Sequence, residues 1–178
     1  MILLVTAFWL MMPGQLFVAP TSYVIEDANG NLLNASIAAD GQWRFPANET
    51  VPVKFIDCIT TFEDKRFFRH PGLDLAAIAR AGSANFRNRK TVQGGSTITM
   101  QVIRLAKKNN KRSVWNKLKE IMLAVRLEMS CSKQEILSLY ASNAPFGSNV
   151  VGLDAAAWRY FGRAPGKLSW AEMATLAV

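Results

Sequence analysis

Apolar and polar positions fall into three regimes along the chain. From Met1 to Met12 nearly every residue is apolar, and the first charged residue is Glu26. From Tyr23 to Phe45, short apolar stretches are separated by Asn29-Gly30 and Asp40-Gly41. Those dipeptides are tight-turn signals, so this stretch predicts a small β-hairpin. From Val51 onward the spacing is helical. Phe55, Ile59 and Phe62 fall at i, i+4 and i+7, one face of a helix ending at Glu63. Ile78, Gly82 and Phe86 predict a second helix after Asp74. Ser96 or Thr97 caps a third, with Ile98, Val102 and Leu105 on its face. The basic stretches Arg87 to Val92 and Lys107 to Arg112 read as loops.

The pattern from Val114 to Met129 predicts the longest helix, with Leu118, Met122, Val125 and Met129 as its buried stripe. Ser132 with Glu135 forms a capping box for a helix carrying Ile136 and Tyr140, broken by Ala144-Pro145-Phe146-Gly147. Ser169 with Glu172 forms another. That last helix is still running at Val178, so the domain is expected to continue past it. The expected fold is mostly α, with a small β-hairpin before it. Three segments follow: a membrane anchor at 1–19, a hairpin linker at 20–49 and a helical domain at 50–178.

The anchor reading needs a length argument. Twelve helical residues span roughly 18 Å, against a bilayer core of about 30 Å. Extending the run to Pro20 makes the length marginally sufficient. No Lys or Arg precedes it, so it lacks the basic flank of a signal peptide. It reads as an anchor missing its cytoplasmic start, the plain alternative being a buried N-terminal helix.

Composition changes this picture little. The chain has 178 residues, 50% hydrophobic and 19% charged, enough for one domain with a core and too apolar for disorder. Its net charge of +8 points to an anionic partner. The cations fall mostly in loops without interleaved aromatics, which excludes a nucleic-acid reading. Beside an apolar anchor, they suit an anionic membrane surface. Cys58 and Cys131 are too few for a zinc site and read as two buried thiols, or as one bridge if the domain is exported.

Three clusters carry candidate chemistry. Glu63-Asp64 ends a helical pattern and is followed by Phe67, Phe68, His70 and Pro71-Gly72. A carboxylate beside apolar bulk suits general-base chemistry at neutral pH. An acidic residue at a helix C-terminus opposes the macrodipole, which argues for a reason to keep it. His70, before Pro-Gly, reads more as a turn holder than as a catalyst. Gly94-Gly95-Ser96-Thr97 opens a helix and reads, taken alone, more as an ordinary N-cap than as an anion site, and no Lys-Ser/Thr pair follows as in a phosphate-binding P-loop. Lys117 and Glu120 share one helix face, either as a surface ion pair or as a cation for a leaving phosphate held by a carboxylate.

Taken together, these blocks resemble the peptidoglycan glycosyltransferase domain of class A penicillin-binding proteins, glycosyltransferase family 51. The pattern E-D-x-x-F-x-x-H-x-G appears as Glu63 to Gly72, and G-G-S-T-I-T-Q-Q as Gly94 to Gln101. The pattern R-K-x-x-E appears as Asn116 to Glu120, and K-x-x-I-L-x-x-Y as Lys133 to Tyr140. Tyr160-Phe161-Gly162 and Leu168 to Ala174 supply a fifth block. Met100 stands where the family carries its first Gln and matches the 1C branch. Asn116 replaces an Arg, and Ser142 stands where Asn is usual.

The resemblance implies a lysozyme-like fold and polymerisation of lipid II into β-1,4-linked glycan, with release of undecaprenyl pyrophosphate. It implies Glu63 as general base, with Glu120 as the second catalytic carboxylate. Asp64, Phe67, His70, Gly95, Ser96, Thr97, Gln101, Arg104, Lys117 and Tyr140 are then the substrate-binding candidates. Glu120 is also the position at which a divalent metal, Mg²⁺ or Mn²⁺, is expected if one is used. The implied partners are lipid II, undecaprenyl-pyrophosphate-linked glycan and other cell-wall synthesis proteins. The implied location is the bacterial cytoplasmic membrane, with the domain on its outer, periplasmic side. Two alternatives remain open at this point: a lytic hydrolase of similar fold, and an inactive glycan-binding scaffold.

Overall fold

A computed structural model describes residues 14–88, 95–107 and 113–178, with the side chains of Gly82, Ala84, Asn85, Phe86 and Asn88 left out. The predicted anchor to Met12, Gly94 and most of both basic loops lie outside the described residues, as do the predicted inward side chains of Gly82 and Phe86. Among the described residues no helix is long and apolar enough to cross a membrane.

The architecture is mostly helical. Strands β1 (Val24–Glu26) and β2 (Leu32–Ala35) pair antiparallel around the Asn29-Gly30 turn. Asp27 holds that turn, accepting from the backbone N–H groups of Asn29 and Asn31 at 2.8 Å. The second turn signal does not continue the hairpin. After Asp40-Gly41, β3 (Trp43–Arg44) pairs in parallel with β4 (Val150–Val151), more than a hundred residues downstream. The N-terminal stretch is thereby tied to the helical body.

Seven helices follow among the described residues: α1 (Val53–Glu63), α2 (Leu75–Asn88), α3 (Ile98–Lys107), α4 (Val114–Glu128), α5 (Lys133–Asn143), α6 (Leu153–Phe161) and α7 (Trp170–Ala177). Both predicted capping boxes form, Ser132 with Glu135 on α5 and Ser169 with Glu172 on α7. Helix α3 is the centre of the molecule. It packs on α4 and α5 and buries Ile98, Thr99, Met100, Val102 and Ile103, while α1 packs on α7. Phe55, Ile59, Leu127, Ile136, Leu137 and Met173 complete this core.

Two predicted faces are corrected. On α1, Phe55 and Ile59 are buried but Phe62 is 56% exposed. On α4, Leu118, Met122 and Met129 are exposed, and the buried residues are Glu120, Leu123, Ala124, Arg126 and Leu127. The cause is that α4 carries apolar residues on two faces. The chosen face brings Glu120 against Arg104 on α3, an ion pair the other rotation would lose. Cys58 and Cys131 are both free thiols, with burial pushing each above the usual thiol range.

Candidate active site

Helix α1 ends at Glu63, and Asp64 leaves the helix with φ −155° and ψ 73°. That turn sends the two neighbouring carboxylates in different directions. Glu63 stays partly open and accepts a hydrogen bond from Gln101 Nε2 at 2.6 Å. Tyr140, on α5, lies close enough to feel its charge. Burial, then the Glu63 carboxylate, push the Tyr140 phenol up to about 12.

Asp64 turns inward and is 5% exposed. Its carboxylate meets His70 Nε2 at 2.9 and 3.0 Å and accepts from the backbone N–H of Ile98 at 3.1 Å. The Ile98 N–H belongs to the first turn of α3, one of the donors a helix cannot satisfy internally. Thr97 caps the same helix: its hydroxyl accepts from the Met100 N–H at 3.2 Å and donates to the Gly72 carbonyl at 2.7 Å. Gly72 has φ 84°, and a Cβ there would lie 2.9 Å from the Ala124 carbonyl oxygen. Only glycine fits this approach. At Gly95 a Cβ would sit 3.1 Å from Ile78 Cα, which explains the small residue where α2 meets the start of α3.

The second half of the site hangs from the same helix. Arg104 grips Glu120 with two bonds, Nε to Oε1 at 3.0 Å and Nη2 to Oε2 at 2.9 Å. Lys117 Nζ donates to Ser96 Oγ at 2.6 Å and stands 3.7 Å from Glu120 Oε2. Arg104 Nη2 reaches the same Ser96 hydroxyl at 3.5 Å. Two cations therefore converge on one hydroxyl. The bond to Glu120 holds the Arg104 guanidinium above its ordinary value, whereas burial pulls Lys117 down despite Glu120. A cation kept partly dry interacts more strongly with an arriving anion. Beside Arg104 and Glu120 a small cavity of about 110 Å³ is lined by Lys107, Asn116 and Lys119.

Gln101 and Arg104 are three residues apart on α3, so their Cβ atoms are about 5–6 Å apart on one surface. Gln101 carries Glu63 and Arg104 carries Glu120. Glu63, Gln101, Tyr140, Ser96, Arg104, Lys117 and Glu120 thus flank one helix face. Asp64, Phe67, His70 and Thr97 are turned inward: Phe67 is 1% exposed, with its ring edge-on to Phe68 and His70. These four and the half-buried Gly95 lie behind that helix face.

The proposed metal position does not fit a divalent cation. Both Glu120 oxygens face Arg104, and no group of three metal-ligating side chains occurs among the described residues. One half-buried partner, Glu128, was missed from sequence, and Lys133 stood only as part of a family block with no role. Glu128 accepts from Thr99 Oγ1 at 2.6 Å, and Lys133 donates to Glu128 at 2.7 Å. No local pattern signals Glu128, because its contact with Thr99 joins two helices 29 residues apart in sequence.

The geometry agrees with what the chain is similar to. Residues 29–178 match the family model described as Transglycosylase. Penicillin-binding protein 1C of Escherichia coli (strain K12) is 40% identical over 141 residues, covering 79% of this chain and 18% of the relative. Penicillin-binding protein 1A of Aquifex aeolicus is 36% identical over 159 residues, 89% of this chain and 22% of the relative. Penicillin-binding protein 1A of Pseudomonas aeruginosa is 39% identical over 127 residues, 71% of this chain and 16% of the relative. The chain thus spans about a fifth of the length of these relatives, and with its matched region holding both carboxylates and both cations, it belongs to the transglycosylase family.

Proposed function

We propose that this chain is a peptidoglycan glycosyltransferase that polymerises lipid II into β-1,4-linked glycan and releases undecaprenyl pyrophosphate. One observation carries the reading. A carboxylate held by a neutral amide, Glu63 on Gln101, shares a helix face with two cations converging on Ser96. A base for the acceptor and a binding place for a departing anion are what this transfer needs.

In this reading Glu63 removes the proton from the 4-hydroxyl of the acceptor sugar as that oxygen attacks the anomeric carbon of the donor. The bond from that carbon to the pyrophosphate oxygen breaks on the opposite face, so configuration inverts. The electron pair leaves with the pyrophosphate, where Lys117, Arg104 and the Ser96 hydroxyl meet the developing charge. Tyr140 stays a neutral phenol beside Glu63 across the physiological range. A lytic hydrolase is the weaker reading, since cutting a glycosidic bond gives paired cations no anion to hold. We further assign the mostly helical fold to the lysozyme-like class, 1–19 to a membrane anchor, 20–49 to the hairpin linker and 50–178 to the transferase domain. The site then faces outward from the cytoplasmic membrane, where lipid-linked sugars are reached.

The test is polymerisation of labelled lipid II by the protein in detergent. Wild type is expected to make glycan chains, and Glu63→Gln to lose about 10²–10⁴-fold in rate. Normal polymerisation by Glu63→Gln would sink the base assignment. Release of fragments from finished peptidoglycan without consumption of lipid II would replace the transferase with the hydrolase.

A further inference from the structure

The transferase reading uses the groups that face the substrate, and leaves unexplained a half-hidden cation on the far side of the acidic block. Lys133, at the first turn of α5, keeps its side chain only 22% exposed. Its ammonium has three neighbours. It donates to the His70 carbonyl at 2.7 Å and to Glu128 Oε1 at 2.7 Å, and it lies 4.3 Å from the centre of the Phe67 ring. Glu128 is more deeply placed, at 8% exposure, and the same Oε1 accepts from Thr99 Oγ1 at 2.6 Å.

Followed outward, these contacts close a ring. Thr99 lies two residues before Gln101 on α3, and Gln101 holds Glu63. Asp64 follows Glu63 and binds the His70 ring, whose own carbonyl returns to Lys133. The circuit runs Glu63, Asp64, His70, Lys133, Glu128, Thr99, Gln101 and back to Glu63. Lys133 is the one member that touches both the acidic block, through His70 and Phe67, and the α4–α5 corner, through Glu128. The bond from Lys133 to the His70 carbonyl ties the chain to α5 directly after the 3-10 turn Phe67–Arg69.

We propose that Lys133 is a positioning residue for the reaction: it holds residues 64–72 against α3, so that Glu63 meets Gln101 at the right place to take the acceptor proton. The proposal rests on the transferase reading above. It assigns Lys133 no contact with substrate. A misplacement of the base of about 1 Å is enough to cost up to 10²-fold in rate, so a clamp far from the reacting atoms can govern turnover.

A purely structural role must be separated from a positioning one, and the ion pair itself supplies the means. Lys133→Met removes the ammonium while keeping the apolar stem, but strands the Glu128 carboxylate in a buried place, which is destabilising in its own right. Adding Glu128→Gln removes that stranded charge and keeps an acceptor for Thr99. Lys133→Met and the double variant are compared with wild type for thermal unfolding and for kcat and KM on lipid II. Hydrogen exchange across residues 64–72 is followed in the same samples.

Lys133→Met is expected to lose thermal stability and about tenfold to a hundredfold in kcat, with KM within about twofold. The double variant is expected to regain the stability but not kcat, with faster exchange across 64–72 and unchanged exchange in α7. Recovery of kcat together with stability would show a structural role only and overturn the proposal. A loss lying wholly in KM would mean substrate contact and also overturn it. Inactive wild-type protein would instead refute the transferase reading, and exchange across 64–72 would then decide the clamp alone: no acceleration in the double variant overturns it.

Discussion

Glu63 and Asp64 are adjacent in sequence and are expected to fail in opposite ways when removed. Asp64→Ala deletes a buried carboxylate that accepts from the Ile98 N–H at 3.1 Å and meets His70 Nε2 at 2.9 Å. Ile98 is fully buried, so its N–H finds no water in place of the lost oxygen. An orphaned buried donor costs about 1–3 kcal/mol, and His70 Nε2 becomes a second such group on a ring whose Nδ1 has no partner among the described residues. The sum is about 2–6 kcal/mol. For a domain of this size each kcal/mol moves the melting temperature by about 2–4 °C, so a fall of roughly 4–24 °C is expected. Glu63→Gln removes a charge but keeps an oxygen for Gln101, in a partly open position. Its stability cost should stay near or below about 1 kcal/mol.

Both variants are to be melted by circular dichroism in the same detergent and assayed for lipid II polymerisation. Asp64→Asn is the useful intermediate. Its Oδ1 can still accept from Ile98, so it should recover part of the stability that Asp64→Ala loses. The reasoning is refuted if Asp64→Ala melts within about 2 °C of wild type, because the buried donors would then cost nothing. It is equally refuted if Glu63→Gln proves the less stable of the two, since that would make Glu63 the structural carboxylate.

Two further outcomes are expected. The Tyr140 phenol is raised from 10.0 to about 12, so the neutral form is favoured in the folded state. That contribution is complete below the unfolded value and is lost as pH rises through the folded one; by about pH 11 wild type should lose roughly 1 kcal/mol more than Tyr140→Phe, and equal alkaline losses in urea titrations would contradict it. Gly72→Ala forces a Cβ to 2.9 Å from the Ala124 carbonyl at φ 84°, so a loss of more than about 1 kcal/mol is expected. A melting point for Gly72→Ala equal to that of wild type would show that the α1–α2 connection gives way freely.

Much of the fold was legible because helix ends are written locally. The capping boxes at Ser132 and Ser169 lie within four residues and form as expected. So does the Asn29-Gly30 turn. Faces were less legible. Leu118, Met122 and Met129 make a good apolar stripe on α4, but the other stripe, through Leu123, Ala124 and Leu127, is the one buried. Spacing cannot choose between two apolar faces; the partner helix chooses. The contact from Asp64 to Ile98 spans 34 residues and leaves no trace in either neighbourhood. The departures from the family pattern also change in meaning. Met100 is fully buried, so its replacement of a Gln alters the core. Ser142 offers its carbonyl 2.8 Å from where a Cβ on Gly152 would lie, so this position sets a backbone approach.

The two carboxylates expected from sequence to be catalytic are not equivalent in the structure. Glu120 gives one oxygen to each arm of the Arg104 guanidinium and is 8% exposed, which leaves it little lone-pair capacity to turn toward a hydroxyl. A bidentate Arg–carboxylate pair fixes geometry. Here that geometry fixes Arg104 beside Ser96, with Lys117 on the same hydroxyl. Glu63 meets a single neutral donor and is more open. It keeps an oxygen for an acceptor proton. The division of labour therefore follows from the partner each carboxylate meets on α3. In the proposed transfer, Gln101 leaves Glu63 available as the base, and Arg104 makes Glu120 the anchor of the cations. Exchanging those partners should abolish transfer without adding or removing a single charge in the site.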